Sequence, residues 1–302
     1  MNLPAQKKMK RCGTCRGTRV ETYEGSLVAE ARLCSECLAP CPECSGSGEV
    51  VVNEDGYRLI RQCSTCLTPT KRARMFTKAC VPPRYHRSTL ASYRAIEGNQ
   101  GSVRDGLVDY IKNYRTDPRG ILLIGDPGVG KTHLLSALIR GLTLVHGVPC
   151  RFVEFGQLLS QIKVGYQSGQ TEEQIVAPLV SVPVLGIDDM GKGVGSEWEM
   201  MILDALISRR YNARRPVLVT TNYRLRDPLN ALHAPSHGKS TAEIAVDPIA
   251  KGRTRKDRVR AARQRVSESL EDRVGARVAS RLGEMCYVYG VEATDFRKKG
   301  LI

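Results

Sequence analysis

Short apolar runs alternate with stretches of helical spacing over most of the chain. Residues 121–124, 184–188, 216–221 and 285–289 are nearly unbroken apolar segments of strand length, the pattern of strands covered on both faces, and 150–155 is a fifth run of that length, interrupted by Arg151 and Glu154. Between them, apolar positions recur with helical period over about 101–113, 132–146, 155–165, 171–181, 197–213 and 271–283. Strand and helix in alternation predict an α/β fold, a mostly parallel sheet with helices on both sides.

The first 70 residues obey another rule. Alternating runs such as Glu49-Val50-Val51-Val52 and Tyr57-Arg58-Leu59-Ile60-Arg61 predict a β-hairpin. They lie between paired cysteines: Cys12 and Cys15, Cys34 and Cys37, Cys41 and Cys44, Cys63 and Cys66. The first four recur as the last four at an offset of 29 residues, Cys12 to Cys41, so the segment is a tandem duplication of C-x2-C-x18-C-x2-C. Each unit has the ligand count of a tetrahedral all-thiolate zinc site. Redox pairs and inert buried thiols compete with zinc as readings. Each repeat closing on itself is the favoured pairing; the alternative joins Cys12 and Cys15 to Cys63 and Cys66. With little apolar core here, the metal is expected to supply most of this module's stability. Cys80, Cys150 and Cys286 stand alone and read as small buried hydrophobes. Lys71-Arg72-Ala73-Arg74 reads as a basic hinge. The boundaries expected are a zinc module at 1–70, a linker and pre-core segment at 71–100, and the core at 101–302.

Chemistry concentrates in the core. Gly125-Asp126-Pro127-Gly128-Val129-Gly130-Lys131-Thr132-His133 comes after an apolar strand and opens a helix. That is the P-loop pattern: glycines let backbone N–H groups curl around phosphates, Lys131 reaches the β- and γ-phosphates, and the Thr132 hydroxyl holds Mg²⁺. Val184-Leu185-Gly186-Ile187-Asp188-Asp189 is an apolar strand ending in two acids. Asp188 is expected in the Mg²⁺ shell and Asp189 where the attacking water is oriented, one methylene shorter than the glutamate often found there. Val217-Leu218-Val219-Thr220-Thr221-Asn222 ends a buried strand in an amide, and Asn222 can contact the phosphate or the lytic water. Arg273, Arg277 and Arg281 are spaced as one helical stripe, either a solvated face or a reach to a neighbour's phosphate.

The formal charge of +15 points to an anionic partner, nucleic acid first. No run approaches the ~20 apolar residues of a membrane span. Residues 1–11 are polar and basic without an apolar leader, so a cytoplasmic location is expected. Residues 227–270 carry several prolines and the run Lys251-Gly252-Arg253-Thr254-Arg255-Lys256-Asp257-Arg258, the pattern of a disordered basic insertion, free or on DNA phosphates.

These residues support two resemblances. The turns Cys15-Arg16-Gly17-Thr18 and Cys44-Ser45-Gly46-Ser47-Gly48 make the first segment similar to the cysteine-rich domain of DnaJ chaperones, with Arg19 breaking the pattern in the first unit. From about Cys80 onward the chain resembles the AAA+ ATPases of the DnaC/IstB group, bacterial replicative helicase loaders and transposition ATPases. The matching blocks are Val81-Pro82-Pro83-Arg84-Tyr85, the P-loop, Ile187-Asp188-Asp189-Met190-Gly191 and Ser208-Arg209-Arg210-Tyr211-Asn212 with Arg215-Pro216. They continue with Thr220-Thr221-Asn222, Arg277-Val278-Ala279-Ser280-Arg281-Leu282, Tyr287-Val288-Tyr289 and Asp295-Phe296-Arg297. The resemblance implies an AAA+ core without a C-terminal lid, hence no obvious sensor-2 arginine. It implies Asn222 as sensor 1 and Arg281 as an arginine finger, with Arg277 the alternative. It implies ATP hydrolysis with Mg²⁺, homo-oligomeric assembly on single-stranded DNA and handover of a DnaB-type helicase. The doubled zinc module departs from the family's N-terminal segment and is expected to dock the helicase or another partner. An IstB-like transposition helper and a zinc-knuckle, chaperone-like adaptor with a slow ATPase are the competing functions.

Overall fold

The computed structural model describes residues 12–54, 56–114, 119–192, 196–226, 269–293 and 295–296. Most of the expected insertion at 227–270 lies outside them, as does Arg297. Ser269 and Leu270 are inside and begin a helix.

The duplication is a structural repeat. Strands β1 (Val20–Glu24) and β2 (Ala29–Leu33) pair antiparallel, as do β3 (Glu49–Glu54) and β4 (Tyr57–Gln62). The turn after the first cysteine pair repeats residue by residue: Arg16, Gly17 and Arg19 take positive φ of 51°, 91° and 60°, matching Ser45, Gly46 and Gly48 at 52°, 97° and 80°. Arg19 therefore adopts the left-handed conformation that its counterpart takes as glycine, so its departure from the glycine pattern leaves the turn intact.

Helix α1 (Ser64–Lys78) comes after the second hairpin. It corrects the expected hinge. Lys71-Arg72-Ala73-Arg74 is mid-helix, and Cys66, Pro69, Ala73 and Phe76 form its buried face. Phe76 and Ala73 join the same apolar cluster as Val20 and Ala29 of the first hairpin and Leu134 and Leu138 of the core. The first hairpin is thus packed onto the core. Its Ala29 N–H donates to the Val81 carbonyl at 2.7 Å and its Ala31 N–H to Thr77 Oγ1 at 3.1 Å. The second hairpin has no such cover: Val51 and Ile60, directly opposite each other, are 61 % and 70 % exposed.

The core sheet has strands β5 (Gly120–Gly125), β6 (Cys150–Glu154), β7 (Val184–Asp188), β8 (Val217–Thr221) and β9 (Cys286–Val291). Their order is β6-β7-β8-β5-β9, and every neighbouring pair is parallel. Helices α2 (Gln100–Asn113), α3 (Lys131–Gly141), α4 (Phe155–Gln167), α5 (Glu172–Ser181), α6 (Glu197–Asn212), α7 (Leu270–Val274) and α8 (Ala276–Met285) surround it. Alternate residues of β5 feed opposite faces: Ile121 and Leu123 enter one apolar cluster, Leu122 the other. Ser/Thr caps start three helices, with Thr171, Ser196 and Ser269 each in a reciprocal capping box.

The arginine stripe departs from the expected single helix. Gly275 takes φ 84° between α7 and α8, so Arg273 belongs to a different element from Arg277 and Arg281. Cys150 and Cys286 are buried as expected, but Cys80 is half-exposed and receives an N–H from Arg151 at 2.9 Å. Among the described residues no helix is long and apolar enough to cross a membrane.

Candidate nucleotide and metal sites

Parallel strands deliver their loops to one edge, and the order of this sheet places β8 between β5 and β7. The loops after these three strands carry the P-loop, Asn222 and the acidic pair. Gly128 and Gly130 have φ of 86° and 89°, which L side chains avoid. Space forbids a side chain too. A Cβ on Gly128 would lie 1.9 Å from Asp295 Oδ1, and one on Gly130 would lie 2.7 Å from the Tyr93 ring.

Helix α3 begins at Lys131. Its ammonium donates to the Gly125 carbonyl at 2.8 Å, the Asp126 carbonyl at 2.9 Å and Asn222 Oδ1 at 2.7 Å. Thr132 Oγ1 donates to Asp188 Oδ2 at 2.9 Å, and Thr220 Oγ1 donates to Asp188 Oδ1 at 2.6 Å. Three segments from different parts of the chain therefore converge on one point. The Thr132 hydroxyl and the Asp188 carboxylate together are the oxygen donors that suit Mg²⁺. Asp189 takes φ 54° at the end of β7, with its N–H on Thr220 Oγ1 at 2.9 Å. A non-glycine residue held in this region marks a place where backbone strain is built into a site.

His133 is placed differently from its neighbours in the loop. Its Nε2 faces the Thr89 carbonyl at 3.0 Å, so the proton sits there, and its Nδ1 faces Ser88 Oγ at 3.4 Å. Burial holds its pKa down, and the ring is used up by the pre-core segment. Only its backbone is left for a ligand. Val129 is held from the same side, its carbonyl accepting from the Tyr93 hydroxyl at 2.7 Å.

Three contacts had no signal at the level of sequence. Tyr85 lies beside Thr132 and the Asp188–Asp189 pair, with its phenol pushed up by burial. Phe296 packs edge-on to Tyr93, ring centroids 5.9 Å apart, and donates its N–H to the Gly128 carbonyl at 3.1 Å. The blocks holding Tyr85 and Phe296 were visible as family resemblances, but their place against the P-loop was not. Arg140, on α3, donates to the His86 carbonyl at 2.8 Å and to Thr22 Oγ1, tying the first hairpin to the P-loop helix.

Burial raises the pKa of Asp188 from its ordinary value; Asp189 adds to the rise, and the Thr220 and Thr132 hydroxyls oppose it. A folded-state value above the unfolded one, about 3.9, gives a contribution fully present below that value and lost as pH rises through the folded one. At neutral pH the ionised carboxylate therefore destabilises the ligand-free fold. Asp188→Asn is expected to raise the ligand-free melting temperature at pH 7. The gain should shrink as pH falls through the carboxylate range. Thermal melts across pH check this, and a lower melting temperature at pH 7 would refute it.

The cysteines form two self-contained clusters, Cys12, Cys15, Cys34 and Cys37, and Cys41, Cys44, Cys63 and Cys66, with sulfurs within 4.8 Å of one another in each. Cross-pair sulfur distances are 3.8 and 3.6 Å in the first and 3.7 Å twice in the second. Four sulfurs placed tetrahedrally at a Zn–S distance of about 2.3 Å would be about 3.8 Å apart, so the donor sets fit zinc. Backbone N–H groups, led by that of Cys15, lower the Cys12 thiol to about 7. Burial opposes the same effect at Cys44, yet the Gly48 and Gly46 N–H groups bring it to about 6. Burial and the neighbouring thiols push Cys66 up to about 12 and Cys37 upward as well. Cys12 and Cys44 therefore ionise readily, whereas Cys37 and Cys66 need a cation beside them to do so.

This arrangement is that of a P-loop nucleotide-binding core on a parallel sheet. Residues 98–234 match the family model described as IstB-like ATP binding protein. The chain is similar to the replicative helicase loader DnaC of Escherichia coli strain K12, 26 % identical over 158 residues, 52 % of this chain and 64 % of that protein. It is also similar to DnaC of Buchnera aphidicola subsp. Schizaphis graminum, 27 % identical over 164 residues, 54 % of this chain and 66 % of that protein. The matches thus span somewhat less than two thirds of these relatives. A crystal structure of the DnaC helicase loader shares the fold, with 22 % identity and a TM-score of 0.51 over 69 % of this chain and 99 % of that one.

Proposed function

We propose that this protein is an ATP-dependent loader acting on a DnaB-type replicative helicase. The observation that carries the ATPase part is the meeting of Lys131, Asn222, Thr132 and Asp188 across three loops. On ATP binding, Lys131 would leave its carbonyls for the β- and γ-phosphates, and Thr132 and Asp188 are the residues that would hold Mg²⁺. Mg²⁺ supplies charge neutralisation at the phosphates. Asn222 and Asp189 orient the attacking water. Arg281 of one subunit completes its neighbour's site in a head-to-tail assembly, and basic residues of the assembly track single-stranded DNA. The two cysteine clusters hold zinc. The similarity to DnaC supports the loader reading, and so does the uncovered second hairpin, which gives a partner protein an apolar face. The IstB description of the matched domain supports the second reading, a transposition helper that remodels target DNA.

Capture by a purified DnaB-type helicase separates them. The full chain with ATP is expected to bind the helicase, and Val51→Asp with Ile60→Asp is expected to abolish that binding while leaving ATP turnover intact. ATP turnover is expected to rise with single-stranded DNA. No capture by the helicase, with binding to a transposase instead, would overturn the loader reading in favour of the helper.

A further inference from the structure

We infer that Asp204 is the positioning residue for the arginine that reaches the neighbouring subunit, selecting Arg281 over Arg277 and fixing the direction of its guanidinium. This rests on the finger reading above and deepens it.

The geometry is a three-sided seat on α6. Asp204, Ser208 and Tyr211 recur at i, i+4 and i+7 and so share one face of that helix. Arg281, on α8, donates from Nη1 to Asp204 Oδ1 at 2.9 Å and to Ser208 Oγ. Its guanidinium carbon lies 5.8 Å from the centre of the Tyr211 ring. That ring is itself held, since the Tyr211 hydroxyl donates to Glu284 Oε1 at 2.7 Å. Both polar contacts of Arg281 use Nη1. Among the described residues Nε and Nη2 are left as the planar fork that pairs with phosphate oxygens. The seat also discriminates. Arg281 has 24 % of its side chain exposed, whereas Arg277 has 74 % exposed and reaches Asp204 only at 3.5 Å. One arginine is aimed while its neighbour one turn away is loose. Aiming matters because a displacement of about 1 Å at a catalytic group can cost roughly 100-fold in rate.

Subunit mixing tests this with the full chain, ATP, Mg²⁺ and single-stranded DNA. Subunits with Lys131→Ala bind nucleotide too weakly to turn it over but still offer Arg281. Subunits with Arg281→Ala keep a site but offer no finger. Each alone is expected to be inactive and the mixture active. If the mixture stays inactive, Arg281 does not act across subunits, and the finger reading and this inference fall together. If it is active, Asp204→Asn is added to one partner at a time. Added to the Lys131→Ala subunit, it should cut the restored turnover about tenfold. Added to the Arg281→Ala subunit, it should leave turnover unchanged. Equal losses in both arms would show Asp204 serving its own subunit's fold and would overturn the inference. A gain in turnover would overturn it as well, by making Asp204 a restraint on the finger. Ser208→Ala in the same two arms is a milder variant, and the same asymmetry is expected at smaller size.

Discussion

Lys131→Ala is expected to weaken ATP binding by roughly 100-fold, equivalent to about 2.7 kcal/mol, while the fold survives. The size comes from the loss of charge-assisted hydrogen bonds to phosphate, each worth about 1.5–3 kcal/mol. The ammonium already sits at the point of use. Its three N–H groups are spent on the Gly125 and Asp126 carbonyls and on Asn222, acceptors that the phosphates would replace. Removing it also frees Asn222 from its partner, so the loop after β8 loses its link to the nucleotide. Titration of a fluorescent ATP analogue with Mg²⁺ measures the affinity, and a melting curve checks the fold. Lys131→Met keeps much of the side-chain volume without the charge and should match the alanine variant in binding. Unchanged affinity in both variants would show that the nucleotide is held elsewhere.

How much of this was legible in the chain depended on how strongly each element marks itself. The strands of the sheet were readable because Ile121, Leu122 and Leu123, and likewise Val217, Leu218 and Val219, are buried on both sides and carry no polar interruption. The P-loop was readable because its glycines are required by its backbone. Helix α1 was not. Its buried stripe is Cys66, Pro69, Ala73 and Phe76, and a cysteine, a proline and an alanine do not announce an apolar face. The charges of Lys71, Arg72 and Arg74 on its other sides dominated the reading instead. The break at Gly275 was hidden because the spacing of Arg273, Arg277 and Arg281 is helical whether or not one glycine turns the chain. The contacts of His133 with Ser88 and Thr89, of Phe296 with Gly128, and of Arg140 with Thr22 join positions far apart in sequence. Spacing and periodicity report only near neighbours. The pairing of the cysteines was open for the same reason, and the 3.6–3.8 Å sulfur contacts close each repeat on itself.

The two cysteine clusters are alike in sequence but unlike in surroundings, and their loss is expected to have unequal results. Cys15→Ser should lower the melting temperature of the core by about 10 °C, whereas the equivalent Cys44→Ser should move it by no more than about 2 °C. Structural zinc is worth about 10–16 kcal/mol to isolated zinc modules, so either change should unfold its own hairpin. The damage to the core then depends on how much of it that hairpin covers. Val20 and Ala29 of the first hairpin are 0 % exposed and share a cluster with Phe76, Leu134 and Leu138. Re-exposing a buried valine costs about 1.5–3 kcal/mol. Arg140 would lose Thr22, and the N–H of Ala29 would leave the Val81 carbonyl at about 1 kcal/mol. A total near 4 kcal/mol converts to about 10 °C at this size. Among the described residues the second hairpin shares no apolar cluster with the core: β4 is exposed along its length, and Val50 of β3 packs against the second cysteine cluster instead. Metal analysis should find two zinc ions in the parent chain and one in each variant. Calorimetry and ATP affinity then read the core. A shift no larger for Cys15→Ser than for Cys44→Ser would show that the first hairpin is no more a part of the core than the second.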